Sequence, residues 1–156
     1  MKNDKAFLQR ALELATESIK NGGGPFGAVI TKQGKVISEA NNRVVLSHDP
    51  TAHAEVLAIR KASEILKTHD LSGCIVYSSC EPCPMCLGAI YWAGIKKIIY
   101  ASDRLEAAKA GFSDNFIYDE IMLDPSERSI SFIHHPDAGG EIVFRKWNDF
   151  DEKIPY

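Results

Sequence analysis

The sequence predicts a layered α/β domain. Three observations carry that expectation. Helical and strand-like apolar runs alternate along the chain, the first two strand-like runs are adjacent and joined by a tight turn, and 156 residues suffice for one domain around one core. The apolar fraction of 45% and charged fraction of 25% are those of a globular chain, and no repeat, low-complexity tract or linker interrupts it, so residues 1–156 read as a single domain.

The first element is a helix from about Asp4 to Ile19, with Phe7, Leu8, Ala11, Leu12, Ala15 and Ile19 at helical spacing. Gly22, Gly23, Gly24 and Pro25 stop it. The runs PFGAVITK and KVISEA then form a β-hairpin around Gln33-Gly34. After the polar loop NNRVVLSHDPT, the run AHAEVLAIRKASEIL is helical, with Val56, Ile59, Ala62 and Leu66 on one stripe. CIVYSS is a buried strand that breaks at Glu81-Pro82. A helix from about Pro84 to Ala93, Gly94, the strand KKIIYAS and a short helix near Leu105–Ala110 follow. Ser129–His134 is expected as a fifth strand and Ile142–Phe150 as a last helix.

The formal net charge is -3, whereas a surface that grips phosphate backbones is usually basic, so a nucleic-acid partner is not expected. Charges recur through the first twenty residues, which excludes a signal-peptide core there, and no apolar run is long enough to cross a bilayer. The expected location is cytoplasmic. In that compartment Cys74, Cys80, Cys83 and Cys86, three of them spaced by three, suggest a metal or redox site rather than disulfides.

Two segments carry chemistry: Thr51-Ala52-His53-Ala54-Glu55 and Cys80-Glu81-Pro82-Cys83-Pro84-Met85-Cys86. Together they read H-x-E followed by P-C-x-x-C, the signature of zinc deaminases. Zinc accepts nitrogen and thiolate sulfur in a tetrahedron, and a catalytic zinc takes three protein ligands. His53, Cys83 and Cys86 supply three, and Glu55, a carboxylate that is not a ligand, is placed to move protons. Each half stands at a helix start, where the helix dipole favours thiolates and first-turn side chains reach beyond the helix end. Cys80 is also spaced as a ligand from Cys83. Three cysteines with His53 would close the site and make it structural, so that alternative stands beside the first.

On these residues the chain resembles the cytidine-deaminase superfamily, in the branch that holds tRNA adenosine deaminases and bacterial guanine deaminases. GGPFGAVI, DPTAHAEV, AIRKA, SCEPCPMCLGAIYWA, AGFSDNFIY and the terminal Tyr156 are most similar to the Bacillus-type guanine deaminases. The resemblance implies a three-layer α/β/α sandwich with a five-stranded mixed sheet, a Zn2+ cofactor and hydrolysis of guanine to xanthine and ammonia. It implies that Asn42 and the backbone of Ala54 hydrogen-bond the purine, that Phe26 and Trp92 flank its ring, and that Asp114 assists the departing amino group. Tyr156 would close over the base. It also implies a homodimer in which C-terminal segments exchange, with Tyr156 acting in the partner's site. The similarity fades between about Ile121 and Pro155, the segment expected to form a lid. The alternatives are deamination of tRNA adenosine, of another free base or amino-heterocycle, or a non-enzymatic zinc module.

Overall fold

A computed structural model describes residues 3–155. The chain divides into two units, residues 1–114 and 115–156.

In the first unit, α1 (Asp4–Lys20) precedes a hairpin of β1 (Gly27–Lys32) and β2 (Lys35–Asn41). Gln33 and Gly34 both take positive φ, 52° and 76°, the backbone of a tight hairpin turn whose twist matches the strands it joins. A short helix α2 (Val44–Ser47) lies within the polar loop, followed by α3 (Ala54–Leu66), β3 (Cys74–Cys80), α4 (Pro84–Trp92), β4 (Lys97–Ser102) and α5 (Arg104–Lys109). The sheet order is β2-β1-β3-β4. β1 is antiparallel to β2 and β3, whereas β3 and β4 are parallel, so the sheet is mixed. The register of β1 on β2 shifts after Ile30, because Ile30 opposes Ser38 and Thr31 opposes Val36, which leaves Ile37 as a bulge.

Alternation along the strands divides the core between two faces. Val29 and Tyr77 face α1 and pack with Ala11 and Leu14. Ala28, Ile30 and Val76 face the other way and pack with Ala54, Ala58 and Ala62 of α3 and Ile90 of α4. Full burial of each large apolar side chain there contributes roughly 1.5–3 kcal/mol. Small residues bring the helices close to the sheet. A Cβ on Gly27 would collide with the Ala11 carbonyl and lie 2.6 Å from the Ala15 amide, so β1 can start there only as glycine. The buried stripe of α1 is Ala11, Leu14, Ala15 and Ser18, with Phe7 and Leu8 packed beside it; of the expected positions Ala11 and Ala15 lie on the stripe and Ile19 is exposed. The stripe of α3 runs through Ala54, Ala58 and Ala62, with Ile59 and Leu66 on its flank.

The second unit holds α6 (Asn115–Met122), two single turns of 3-10 helix at Pro125–Glu127 and Pro136–Ala138, and α7 (Gly140–Asn148). No described residue of this unit is buried. The expectation of a fifth strand over Ser129–His134 is corrected here: among the described residues the sheet has four strands. At its start the chain bonds to α6 instead. The amide and hydroxyl of Ser129 both donate to Glu120 Oε2, and the Arg128 guanidinium lies 5.0 Å from the centroid of the Phe132 ring. Its apolar, β-branched composition marks an extended segment, but composition alone does not supply the neighbouring strand that pairing needs.

Candidate active site

Two helices of the first unit begin beside the end of β3. His53 is the N-cap of α3, with φ -69° and ψ 152°, and Cys83 is the N-cap of α4, with φ -64° and ψ 168°. Both are extended residues at the point where the chain turns into helix. Neither side chain caps its own helix, so both are available to a common centre. Pro84 at the first position of α4 has no N–H to leave unsatisfied and carries a φ suited to helix entry. Cys86, one turn into α4, is buried on the same side.

The three side chains converge. His53 Nδ1 lies 3.6 Å from Cys83 Sγ and 3.5 Å from Cys86 Sγ, and all three potential ligand atoms lie within 4.8 Å of one another. A tetrahedral zinc with bonds of about 2.0 Å to nitrogen and about 2.3 Å to sulfur has nitrogen–sulfur edges of about 3.5 Å. The donor set and its spacing therefore fit zinc. The electrostatics fit as well. Hydrogen bonding to Cys86, then to His53, holds the Cys83 thiol far below its ordinary range. The same Cys83 bond, reinforced by burial and by Glu55, pushes the Cys86 thiol up. His53 is pushed up, first by its bond to Cys83. A bound dication would favour two thiolates and a neutral imidazole together. His53, Cys83 and Cys86 form a candidate zinc site, and among the described residues no other set of His, Cys, Asp and Glu side chains converges in this way.

Cys80 stands apart from this set. Its thiol donates to the Asp103 carbonyl at 3.6 Å, and burial pushes it up to about 11, so it remains a protonated thiol at neutral pH. The closed four-ligand alternative is not formed.

Glu55 is 5% exposed, in the first turn of α3. Its Oε1 accepts the Ser78 hydroxyl at 3.0 Å, and its Oε2 lies 3.5 Å from Cys86 Sγ. Burial is the largest influence and raises its pKa, against the lowering effect of its own backbone amide and of Ser78. Asp114, the last residue of the first unit, is raised chiefly by desolvation and also feels the charge of Cys83, which places it near the cluster.

Asn42 is buried at the end of the hairpin. Its Oδ1 accepts from the Gly24 amide at 3.3 Å and the Val44 amide at 3.2 Å, and its backbone oxygen accepts the Ser18 hydroxyl at 3.0 Å. Gly23 sits so close that a Cβ there would lie 2.6 Å from that oxygen. Phe26 packs against the α3-side core and makes an edge-to-face contact with Phe112, ring centroids 5.0 Å apart. Ala54 is fully buried at the first position of α3, where a helix amide has no intrahelical partner. Trp92 ends α4, about 9 Å along the axis from Cys86, and is 71% exposed. Tyr156 lies outside the described residues. Ser78 and Phe112 were not anticipated. In sequence they read as a strand residue and a loop aromatic, and only the tertiary contacts distinguish them.

Comparison with known proteins adds to this geometry. A family model described as the cytidine and deoxycytidylate deaminase zinc-binding region matches residues 1–102. The chain is 52% identical over 155 residues to a guanine deaminase of Bacillus subtilis (strain 168), covering 99% of each chain. An X-ray structure of guanine deaminase from Bacillus subtilis superposes with a TM-score of 0.95 at 52% identity, over 97% of this chain and 98% of that one. A tRNA-specific adenosine deaminase of Aquifex aeolicus (strain VF5) is 45% identical over 119 residues, 76% of this chain and 78% of that one. A guanine deaminase structure from Nitrosomonas europaea has a TM-score of 0.68 at 36% identity, over 70% of this chain and 64% of that one.

Proposed function

The chain belongs to the cytidine and deoxycytidylate deaminase zinc-binding family, and on that premise we propose that it is a zinc-dependent aminohydrolase that converts guanine and water to xanthine and ammonia. One observation carries the choice of substrate. The 52% identity to a guanine deaminase runs through 99% of both chains, well past residue 102 where the zinc-binding region ends. The tRNA-specific relative from Aquifex aeolicus matches a shorter part of this chain.

Zinc bound by His53, Cys83 and Cys86 would supply Lewis acidity that makes water nucleophilic near neutral pH. The chain's own residues do the rest. Glu55 takes the proton from the attacking water and delivers it to the departing amino nitrogen; its Oε2 beside Cys86 and its burial support that role. Asp114 assists the amino group as it leaves. Asn42 donates through Nδ2, since its Oδ1 is engaged by two backbone amides, and so selects an acceptor on the base. The Ala54 amide supplies a second hydrogen bond. Phe26 and Trp92 flank the ring, and Tyr156 closes over it. In this reading the C-terminal segment, about residues 121–156, is a lid exchanged between two copies. The exposed apolar side chains of Ile133, Phe144 and Trp147 support a partner for it.

The test is a panel of guanine, adenine, cytosine, guanosine and an anticodon stem-loop given to the zinc-loaded enzyme. Ammonia release and ultraviolet spectra should show guanine consumed fastest, with stoichiometric xanthine. Deamination of the stem-loop without turnover of guanine would replace this reading with the tRNA one.

A further inference from the structure

The residues of β3 that face α3 and α4 alternate as Cys74, Val76, Ser78 and Cys80. Packing against a stripe of alanines calls for an apolar side chain at the third of these positions. Ser78 instead places a hydroxyl there, 1% exposed, and a hydroxyl so far from water costs free energy unless it finds a partner. Its partner is Glu55 Oε1, at 3.0 Å. The Glu55 carboxylate is thereby spanned between two elements, with Oε1 on the β3 hydroxyl and Oε2 3.5 Å from Cys86 Sγ on α4. A glutamate carboxylate, carried on three χ angles, would otherwise sample several orientations in the first turn of a helix.

We propose that Ser78 is a positioning residue for the deamination, which anchors one oxygen of Glu55 so that the other stays at the zinc ligands. Ser78 acts through Glu55, whose Oε1 accepts its hydroxyl. The inference rests on the reading of Glu55 as proton carrier. A group held within a few tenths of an ångström reacts far faster than one that must find its place, and a misplacement near 1 Å costs about a hundredfold.

The test compares Ser78→Ala, Ser78→Thr and Ser78→Cys in the zinc-loaded full chain. Ser78→Ala should lower kcat for guanine by roughly 10- to 100-fold with KM unchanged. Ser78→Thr, which keeps the hydroxyl, should recover most of that loss, and Ser78→Cys, nearly isosteric but a weak donor, should fall between. Zinc content should stay at the wild-type value in all three. In a crystal structure of Ser78→Ala the Glu55 carboxylate should occupy more than one rotamer, a readout that does not depend on activity. Adding Ser78→Ala to Glu55→Gln should cost no further activity, because the group it positions is already gone. Wild-type kcat in Ser78→Ala, or an equal loss in the Glu55→Gln background, would overturn the proposal. If the alanine variant does not fold, wild-type kcat in Ser78→Cys overturns it equally. Wild-type turnover in Glu55→Gln itself would overturn the proton-carrier reading instead, so the two failures are distinct.

Discussion

Glu55 is a carboxylate buried beside two thiols, and its burial raises its pKa while the Ser78 hydroxyl opposes the rise. A group in that setting exchanges a proton more readily at neutral pH than an exposed glutamate does. The account predicts that Glu55→Gln keeps its zinc and loses guanine turnover by roughly 100- to 10,000-fold. Cys83→Ala, which removes a donor 3.6 Å from His53 Nδ1, should lose the metal itself. Metal analysis together with steady-state kinetics separates the two outcomes. His53, Glu55, Cys83 and Cys86 were legible in the sequence because zinc chemistry demands particular donor types at particular spacings, which ordinary packing rarely reproduces. The role of Cys80 was not legible from spacing alone. Its bond to the Asp103 carbonyl, 23 residues away, decides it. Ser78 left no signal either, since a serine in an apolar strand is meaningful only when the group opposite it is known.

At the scale of elements, Tyr77 ties β3 to α1: its hydroxyl donates to Asp4 Oδ1 at 2.7 Å and its ring packs against Phe7. Burial, then the Asp4 carboxylate, pushes the Tyr77 hydroxyl up to about 12 from an ordinary 10. An acid whose folded pKa is raised favours folding while it is protonated. Its contribution is whole below pH 10 and is lost as pH rises toward 12. Tyr77→Phe should therefore lower Tm by roughly 2–4 °C below pH 10 and flatten the decline above it; a pH series of thermal melts checks both. The alternation of helix and strand, the Gln33-Gly34 hairpin and the helix starts at residues 54 and 84 were legible because each follows local rules of period, turn and cap. The short α2 was hidden within a polar loop, and the missing fifth strand shows the opposite limit. Ser129–His134 has strand-like residues, but the hydrogen bonds of Ser129 run to Glu120 rather than to a neighbouring strand.

At the scale of the whole molecule the chain divides at residue 114, and the second unit has no buried described residue although it carries Phe116, Phe132, Phe144 and Trp147. These exposed apolar side chains are what the proposed exchange would cover. The exchange proposed above predicts a dimer by light scattering at micromolar concentration, and a chain ending at residue 114 that runs as a monomer without guanine turnover. A monomeric full chain would remove the exchange from the account without touching the zinc chemistry. The division itself was not legible: the similarity expected to fade from about Ile121 in fact runs through 99% of the chain and marks no boundary near residue 114. The most direct measurement of the central claim is the metal dependence of guanine turnover in the full chain. The account predicts that protein loaded with one zinc per chain releases one ammonia and one xanthine per guanine, that a strong chelator abolishes this, and that zinc restores it. Zinc-loaded, folded protein that leaves guanine unchanged, or turnover that persists after the metal is removed, would contradict it.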